Sequence, residues 1–212
     1  MSRRTPGTDT KEQIVRFVKA YDGGDCFFVK PVTVEEKQIK LDGYGGSLAP
    51  FETLNSEFIR QLGFEADIGV HQVTASQCAA IRFLSRVGNQ SGPTLHLDID
   101  AANLGNEFAL TGSVANVEGG NVDLLLVADD GIVHNLTVWL KPDGDRKSFK
   151  VSLRNDDGPA QPQLLFAVVS DAPLAALKSK GAADQVFANA MTEALKTRQT
   201  LKADAIYFKL EK

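Results

Sequence analysis

Residues 89–100 read Asn89-Gln90-Ser91-Gly92-Pro93-Thr94-Leu95-His96-Leu97-Asp98-Ile99-Asp100, and the fold turns on this stretch. Asn89 to Pro93 are turn-formers without apolar periodicity, whereas Leu95, Leu97 and Ile99 alternate with His96, Asp98 and Asp100 as a half-buried strand does. The residues before it repeat with a helical period; those after it mostly repeat every second residue. The sequence therefore predicts two domains, residues 1–90 and 91–212, with a boundary near residue 90. A chain of 212 residues accommodates two small cores.

Beyond the boundary, short strands are expected at 108–117, 122–127, 132–140, 149–153 and 164–169. Their separators are Glu118-Gly119-Gly120-Asn121, Asp129-Asp130-Gly131, Pro142-Asp143-Gly144-Asp145 and Asp156-Asp157-Gly158-Pro159. Such even spacing predicts an antiparallel sandwich or barrel. Val186, Phe187, Ala190, Met191, Ala194 and Leu195 then trace a helical stripe, and 203–210 returns as a strand. The second domain reads as β-rich with one late helix.

Before the boundary, Asp9 stands three residues ahead of Glu12, and Ile14, Phe17, Val18 and Tyr21 share one helical face, which predicts a helix with a capping-box start. Cys26-Phe27-Phe28-Val29 and 32–41 read as two strands, with a turn at Glu35-Glu36-Lys37. Gly43-Tyr44-Gly45-Gly46-Ser47 reads as a tight turn into a second helix carrying Phe51, Leu54, Phe58 and Leu62 and ending at Gly63. Ile68 and Val70 alternate with Gly69 and His71 in a third strand, and Thr74-Ala75-Ser76-Gln77 opens a third helix. The order α-β-β-α-β-α predicts a small two-layer sandwich with helices over one face of a sheet, so the fold class of the chain is α+β.

Composition and charge narrow the function. With 43% hydrophobic and 24% charged residues the chain reads as ordinary globular protein, and its net charge of −4 argues against nucleic acid as a partner. No window reaches the roughly 20 apolar residues of a membrane span and the first ten residues are polar, so neither a span nor a signal peptide is expected. The glycine run at 43–46 lacks the Lys-Ser/Thr of a phosphate loop and the third glycine of a dinucleotide fingerprint. His71, His96 and His134 are not spaced as zinc ligands, and each reads as structural. Gly46-Ser47 and Gly112-Ser113 lack the frame of a nucleophile elbow. The acidic turns at 129–131 and 143–145 do not continue as calcium loops. Asn89-Gln90-Ser91 and Asn135-Leu136-Thr137 match glycosylation sequons. No cofactor, metal or catalytic residue is expected, and the chain reads as a non-enzyme.

Cys26 and Cys78 are the only cysteines. Cys26 opens a strand after a glycine turn and Cys78 lies in the first turn of the third helix, so a helix-on-sheet sandwich can bring them together as one disulfide. The other reading is two buried free thiols. A helix N-terminus favours thiolate, yet no base is adjacent to Cys78 in sequence. A bridge would place the chain in an oxidising compartment; without it the cytoplasm is the expected location.

The runs Tyr21-Asp22-Gly23-Gly24-Asp25-Cys26-Phe27-Phe28, Gly43-Tyr44-Gly45 with Pro50-Phe51, Gly63-Phe64-Glu65-Ala66-Asp67-Ile68-Gly69-Val70 and Gln77-Cys78 carry a likeness. Across residues 10–87 they resemble accessory regions C-terminal to the catalytic domain of bacterial, chiefly alphaproteobacterial, serine/threonine protein kinases. Asp130-Gly131-Ile132-Val133-His134-Asn135-Leu136 and Pro162-Gln163-Leu164-Leu165 resemble the β-rich module that follows such regions. The resemblance implies a sensor or protein-interaction tail outside the cytoplasmic membrane, so that the oxidising compartment of a bridged chain would be the periplasm. No kinase catalytic motif is present, so no catalytic role carries over. The alternative is a small-molecule or cell-wall glycan binding protein with a groove between the domains, lined by Tyr44, Phe51 and Trp139.

Overall fold

A computed structural model describes residues 6–35, 37–88, 93–100, 107–117, 119–154 and 161–210. The expected turn at Asn89-Gln90-Ser91-Gly92, the separator Asp156-Asp157-Gly158-Pro159, and Glu36 and Glu118 lie outside the described residues. The chain divides into two compact units, Met1–Ser85 and Arg86–Lys212.

The first unit runs α1 (Pro6–Ala20), β1 (Phe27–Val34), β2 (Ile39–Gly45), α2 (Ala49–Leu62), β3 (Asp67–Gln72) and α3 (Cys78–Val87), with a 3-10 turn at Ala75–Gln77 ahead of α3. This is the predicted order. The strands form one sheet in the order β1-β2-β3, with β1 antiparallel and β3 parallel to β2. The parallel pair follows from the α2 crossover. Pro31 has no amide to donate to a ladder, and β1 tolerates it as an edge strand whose pairing slips between Pro31 and Thr33.

One face of this sheet packs under α1 and α2. Ile14 and Val18, Leu54 and Phe58, and Val29, Ile39 and Leu41 form a single buried cluster, each side chain contributing about 1.5–3 kcal/mol by leaving water. Gly63 ends α2 at φ 80°, its amide donating to the Ile59 carbonyl, a left-handed cap that side chains resist.

Two expectations need correction. Helix α1 begins at Pro6, a turn before Asp9, and proline suits a first turn because its missing amide is not needed there. The segment Gly43-Tyr44-Gly45 is the end of β2, not a turn. Its glycines clear a seat for an aromatic ring: a Cβ on Gly43 would stand 2.5 Å from the Phe51 ring, and one on Gly45 2.7 Å from it.

The second unit is a three-layer structure. A five-stranded sheet has the order β11-β7-β6-β10-β12, from β6 (Asn121–Val127), β7 (Ile132–Asn135), β10 (Gln161–Ser170), β11 (Gly181–Ala182) and β12 (Leu201–Leu210). A four-stranded sheet has the order β4-β5-β9-β8, from β4 (Thr94–Asp100), β5 (Glu107–Ala115), β8 (Lys141–Asp143) and β9 (Arg146–Arg154). All pairings within both sheets are antiparallel. Leu95, Leu110, Val114, Phe149 and Val151 of the smaller sheet meet Val122, Leu124, Leu165, Ala167 and Phe208 of the larger one in a single core. On the far side of the larger sheet lies α4 (Ala183–Thr197), with the Phe187 ring 5.5 Å from that of Phe166. Strands β6 and β10 are thus covered on both faces, which is why their sequences are nearly unbroken apolar runs. The two sheets are also tied at their edges, where the Leu95 amide of β4 donates to Asp204 of β12 at 3.0 Å.

The strand expected at 132–140 is broken in the structure. Strand β7 stops at Asn135, a 3-10 turn occupies Thr137–Trp139, and β8 follows. The reason is side-chain hydrogen bonding by Asn135 and Thr137. Asn135 Oδ1 accepts the Thr137 amide at 2.9 Å, and the Thr137 hydroxyl takes the Leu124 amide at 3.0 Å. Short polar side chains have displaced the ladder that Thr137 and Val138 would otherwise favour. A second 3-10 turn, Ala175–Lys178, fills the region before β11 that the sequence pattern left unassigned.

Candidate functional site

The turn at Thr137–Trp139 is the best-defined exposed apolar feature among the described residues. Val138 is 80% and Trp139 50% exposed, while Leu136 and Leu140 on either side pack against the sandwich core. The backbone is held at each step. Leu136 N donates to Leu124 O at 2.7 Å, Trp139 N to Leu136 O at 2.9 Å, and Leu140 N to Thr137 O at 3.0 Å. The Thr137 hydroxyl donates in turn to Asp123 Oδ1 at 3.1 Å. Two large apolar side chains are therefore presented to solvent on a fixed backbone, an arrangement that lowers the ordering cost of binding.

Asp123 is fully buried, the lone carboxylate of the run Val122-Asp123-Leu124-Leu125-Leu126-Val127. Lys178 Nζ donates to its Oδ1 at 2.8 Å and Asn121 Nδ2 to its Oδ2 at 2.9 Å. No sequence motif singles it out. One acid in a strand covered on both faces is the available signal, since a buried charge persists only with partners.

The first unit carries a different polar cluster, on the sheet face opposite α1 and α2. Register places Lys30 beside Asp42 and Tyr44 beside His71. The Tyr44 hydroxyl donates to Asp42 Oδ2 at 2.6 Å, and His71 Nε2 donates to Asp42 Oδ1 at 2.7 Å. Lys30 Nζ lies 5.9 Å from the centre of the Tyr44 ring. Burial opposes the charge on Asp42, but the hydrogen bonds from His71 and Tyr44, with the positive charges of His71 and Lys30, hold its carboxyl below the usual range. Both oxygens of Asp42 are engaged, and its carboxylate ties β2 to β3. Asp42 was invisible as a site because the pairing of β2 with β3, which brings His71 alongside, is not readable from either strand alone.

Of the three side chains expected to line a groove, two are buried within the first unit. Tyr44 and Phe51, 1% and 3% exposed, are core residues of the first unit on opposite faces of β2, as strand alternation requires of a ring beside Gly43 and one on Tyr44. Neither presents a surface to a ligand. Trp139 is exposed and belongs to the second unit. His96 is exposed on β4, and His134 is half-buried, its pKa lowered by burial and by Lys180 against the opposing pull of Asp130. Asn135 of the second sequon is occupied, its amide donating to Leu177 O at 2.7 Å; Asn89 of the first lies outside the described residues.

Cys26 and Cys78 stand at disulfide distance, with sulfurs 2.06 Å and Cα atoms 4.9 Å apart, inside the range a bridge requires. The capping box predicted at Thr74 and Gln77 sets the start of the helical segment that carries Cys78. Gly46 leaves room for the pair, since a Cβ there would approach Cys26 Sγ to 3.3 Å.

No family model, curated protein or solved structure matches this chain. Among the described residues no three His, Cys, Asp or Glu side chains are placed to hold a metal ion, and no helix is long and apolar enough to cross a membrane. Surface depressions among the described residues include one of about 640 Å³ bordered by Lys11, Glu35, Lys37 and Gln38, one of about 440 Å³ along α1 bordered by Lys11, Glu12, Val15, Arg16 and Lys19, and one of about 110 Å³ bordered by Asn116, Gly120, Asp171 and Lys202 among others. None of them is bordered by Tyr44, Phe51 or Trp139.

Proposed function

We propose that the chain is a non-catalytic sensor or protein-interaction region of a bacterial signalling protein, working on the periplasmic side as the tail of a serine/threonine kinase. The observation that carries this reading is the Thr137–Trp139 turn, where an indole and a valine are held in solvent on a backbone fixed by hydrogen bonds. Tryptophan anchors of this kind dominate binding energy at protein interfaces. The Cys26–Cys78 pair supports the compartment, because a bridge in a small unit persists where thiols are not kept reduced. The glycan-binding alternative loses two of its three aromatic side chains to the core.

The test is site-specific cross-linking in the producing cell with a photoreactive residue at position 138. A discrete protein adduct that disappears with Trp139→Ala is expected. Adducts unchanged by Trp139→Ala, or none from position 138, would remove the turn as the contact site.

A further inference from the structure

We propose that Asp123 is the positioning residue of the Trp139 turn, and that the side-chain relay reaching it from α4 sets how Val138 and Trp139 are presented. The proposal rests on the reading of that turn as the contact surface.

The relay is continuous. On α4, Glu193 accepts the amides of Ala175 and Ala176 at 2.9 and 3.0 Å, which fixes the start of the 3-10 turn Ala175–Lys178. From the end of that turn Lys178 reaches Asp123 at 2.8 Å. Asp123 accepts the Thr137 hydroxyl, and the same hydroxyl accepts the Leu124 amide, so both its donor and its acceptor are engaged. A parallel tie runs from Asn135 Nδ2 to Leu177 O. Two 3-10 turns that are distant in sequence are thus joined through one carboxylate.

Stability alone does not account for the carboxylate. A buried ion pair is commonly no more stabilising than apolar residues of the same shape, and every other residue from 122 to 127 is apolar. What the charge does supply is direction. It holds Thr137 at one orientation, and Thr137 is the first residue of the turn that carries Trp139. Lys178 is 46% exposed in its side chain, so one member of the pair stays in contact with solvent while Asp123 does not. The buried member is therefore the residue on which the turn depends.

Trp139 is the only tryptophan in the chain, and its fluorescence reports the turn without any partner. In Asp123→Asn the collisional quenching constant of Trp139 with acrylamide should rise about twofold and its anisotropy fall, with Lys178→Met shifting both less in the same direction. Val122→Ala, a neighbouring core change outside the relay, should lower the melting temperature and leave both readings unchanged. If Asp123→Asn does not fold, Lys178→Met and Thr137→Val decide. Wild-type quenching and anisotropy in the relay variants, or equal changes in Val122→Ala, would overturn the proposal. These readings are independent of cross-linking at position 138, so a failed interaction reading and a failed positioning role are told apart.

Discussion

The two units solve the same problem by different means. The second buries a core between sheets of five and four strands and covers the outer face of the larger with α4, so its central strands are enclosed on both sides. The first has one three-stranded sheet, and it holds both cysteines of the chain. Small units bury a smaller fraction of their surface and gain more from a covalent staple. The contrast extends to their polar groups: in the first unit Asp42 gathers donors on a sheet face that remains partly exposed, whereas in the second Asp123 is fully enclosed and orients a surface turn.

Reduction should separate the units most strongly. The cysteines are 52 residues apart in sequence, and chain-entropy arguments give a bridge over such a loop about 4 kcal/mol. Melting with and without a thiol reductant should lower one transition and leave the other in place. A single transition that shifts as a whole would show that the units do not differ in this way.

The next largest effect belongs to the second unit. Asp123→Ala strands the Thr137 hydroxyl and Lys178 and should cost about 3 kcal/mol in chemical denaturation, without changing the reductant-sensitive transition. Gly43→Ala acts on the first unit instead. The new methyl meets the Phe51 ring, and about 1–3 kcal/mol of overpacking is expected in the reductant-sensitive transition.

A smaller effect distinguishes the units by pH. The folded pKa of Asp42 is lowered, so its contribution is present above the ordinary carboxylate range and is lost as pH falls through the lowered value. Asp42→Asn should therefore lower first-unit stability at neutral pH and flatten its acid limb, with variant and wild type converging below the lowered pKa. Glu193 has the same sign, its carboxyl held low by the Ala176 and Ala175 amides, and Glu193→Gln should act on the second unit alone. Smallest of all is Trp139→Ala, within about 0.5 kcal/mol for stability because the ring is half in solvent.

These sites differed in how plainly the sequence announced them. The element order of the first unit was legible because its helices carry strong apolar stripes and real caps at Gly63 and Thr74. The strands of the second were legible from their period and their glycine turns, with Gly131 and Gly144 both at positive φ. The failures have a common cause. Gly43 and Gly45 read as a turn because their reason for being glycine is Phe51, which arrives from a later helix. The break after Asn135 was hidden because its hydrogen bonds draw on Asp123 and Leu177, far away in sequence. Tyr44 reads as a groove-lining aromatic in sequence, and its burial on the face opposite Phe51 follows only from β2 running through Gly45.

The covalent bridge is the sharpest difference between the units, and a thiol count on protein purified without reductant, alkylated at lysis and then denatured, measures it directly. No titratable thiol is expected, since Cys26 and Cys78 are joined. Two free thiols per chain would contradict the account, taking away both the staple of the first unit and the physical ground for placing this protein in an oxidising compartment.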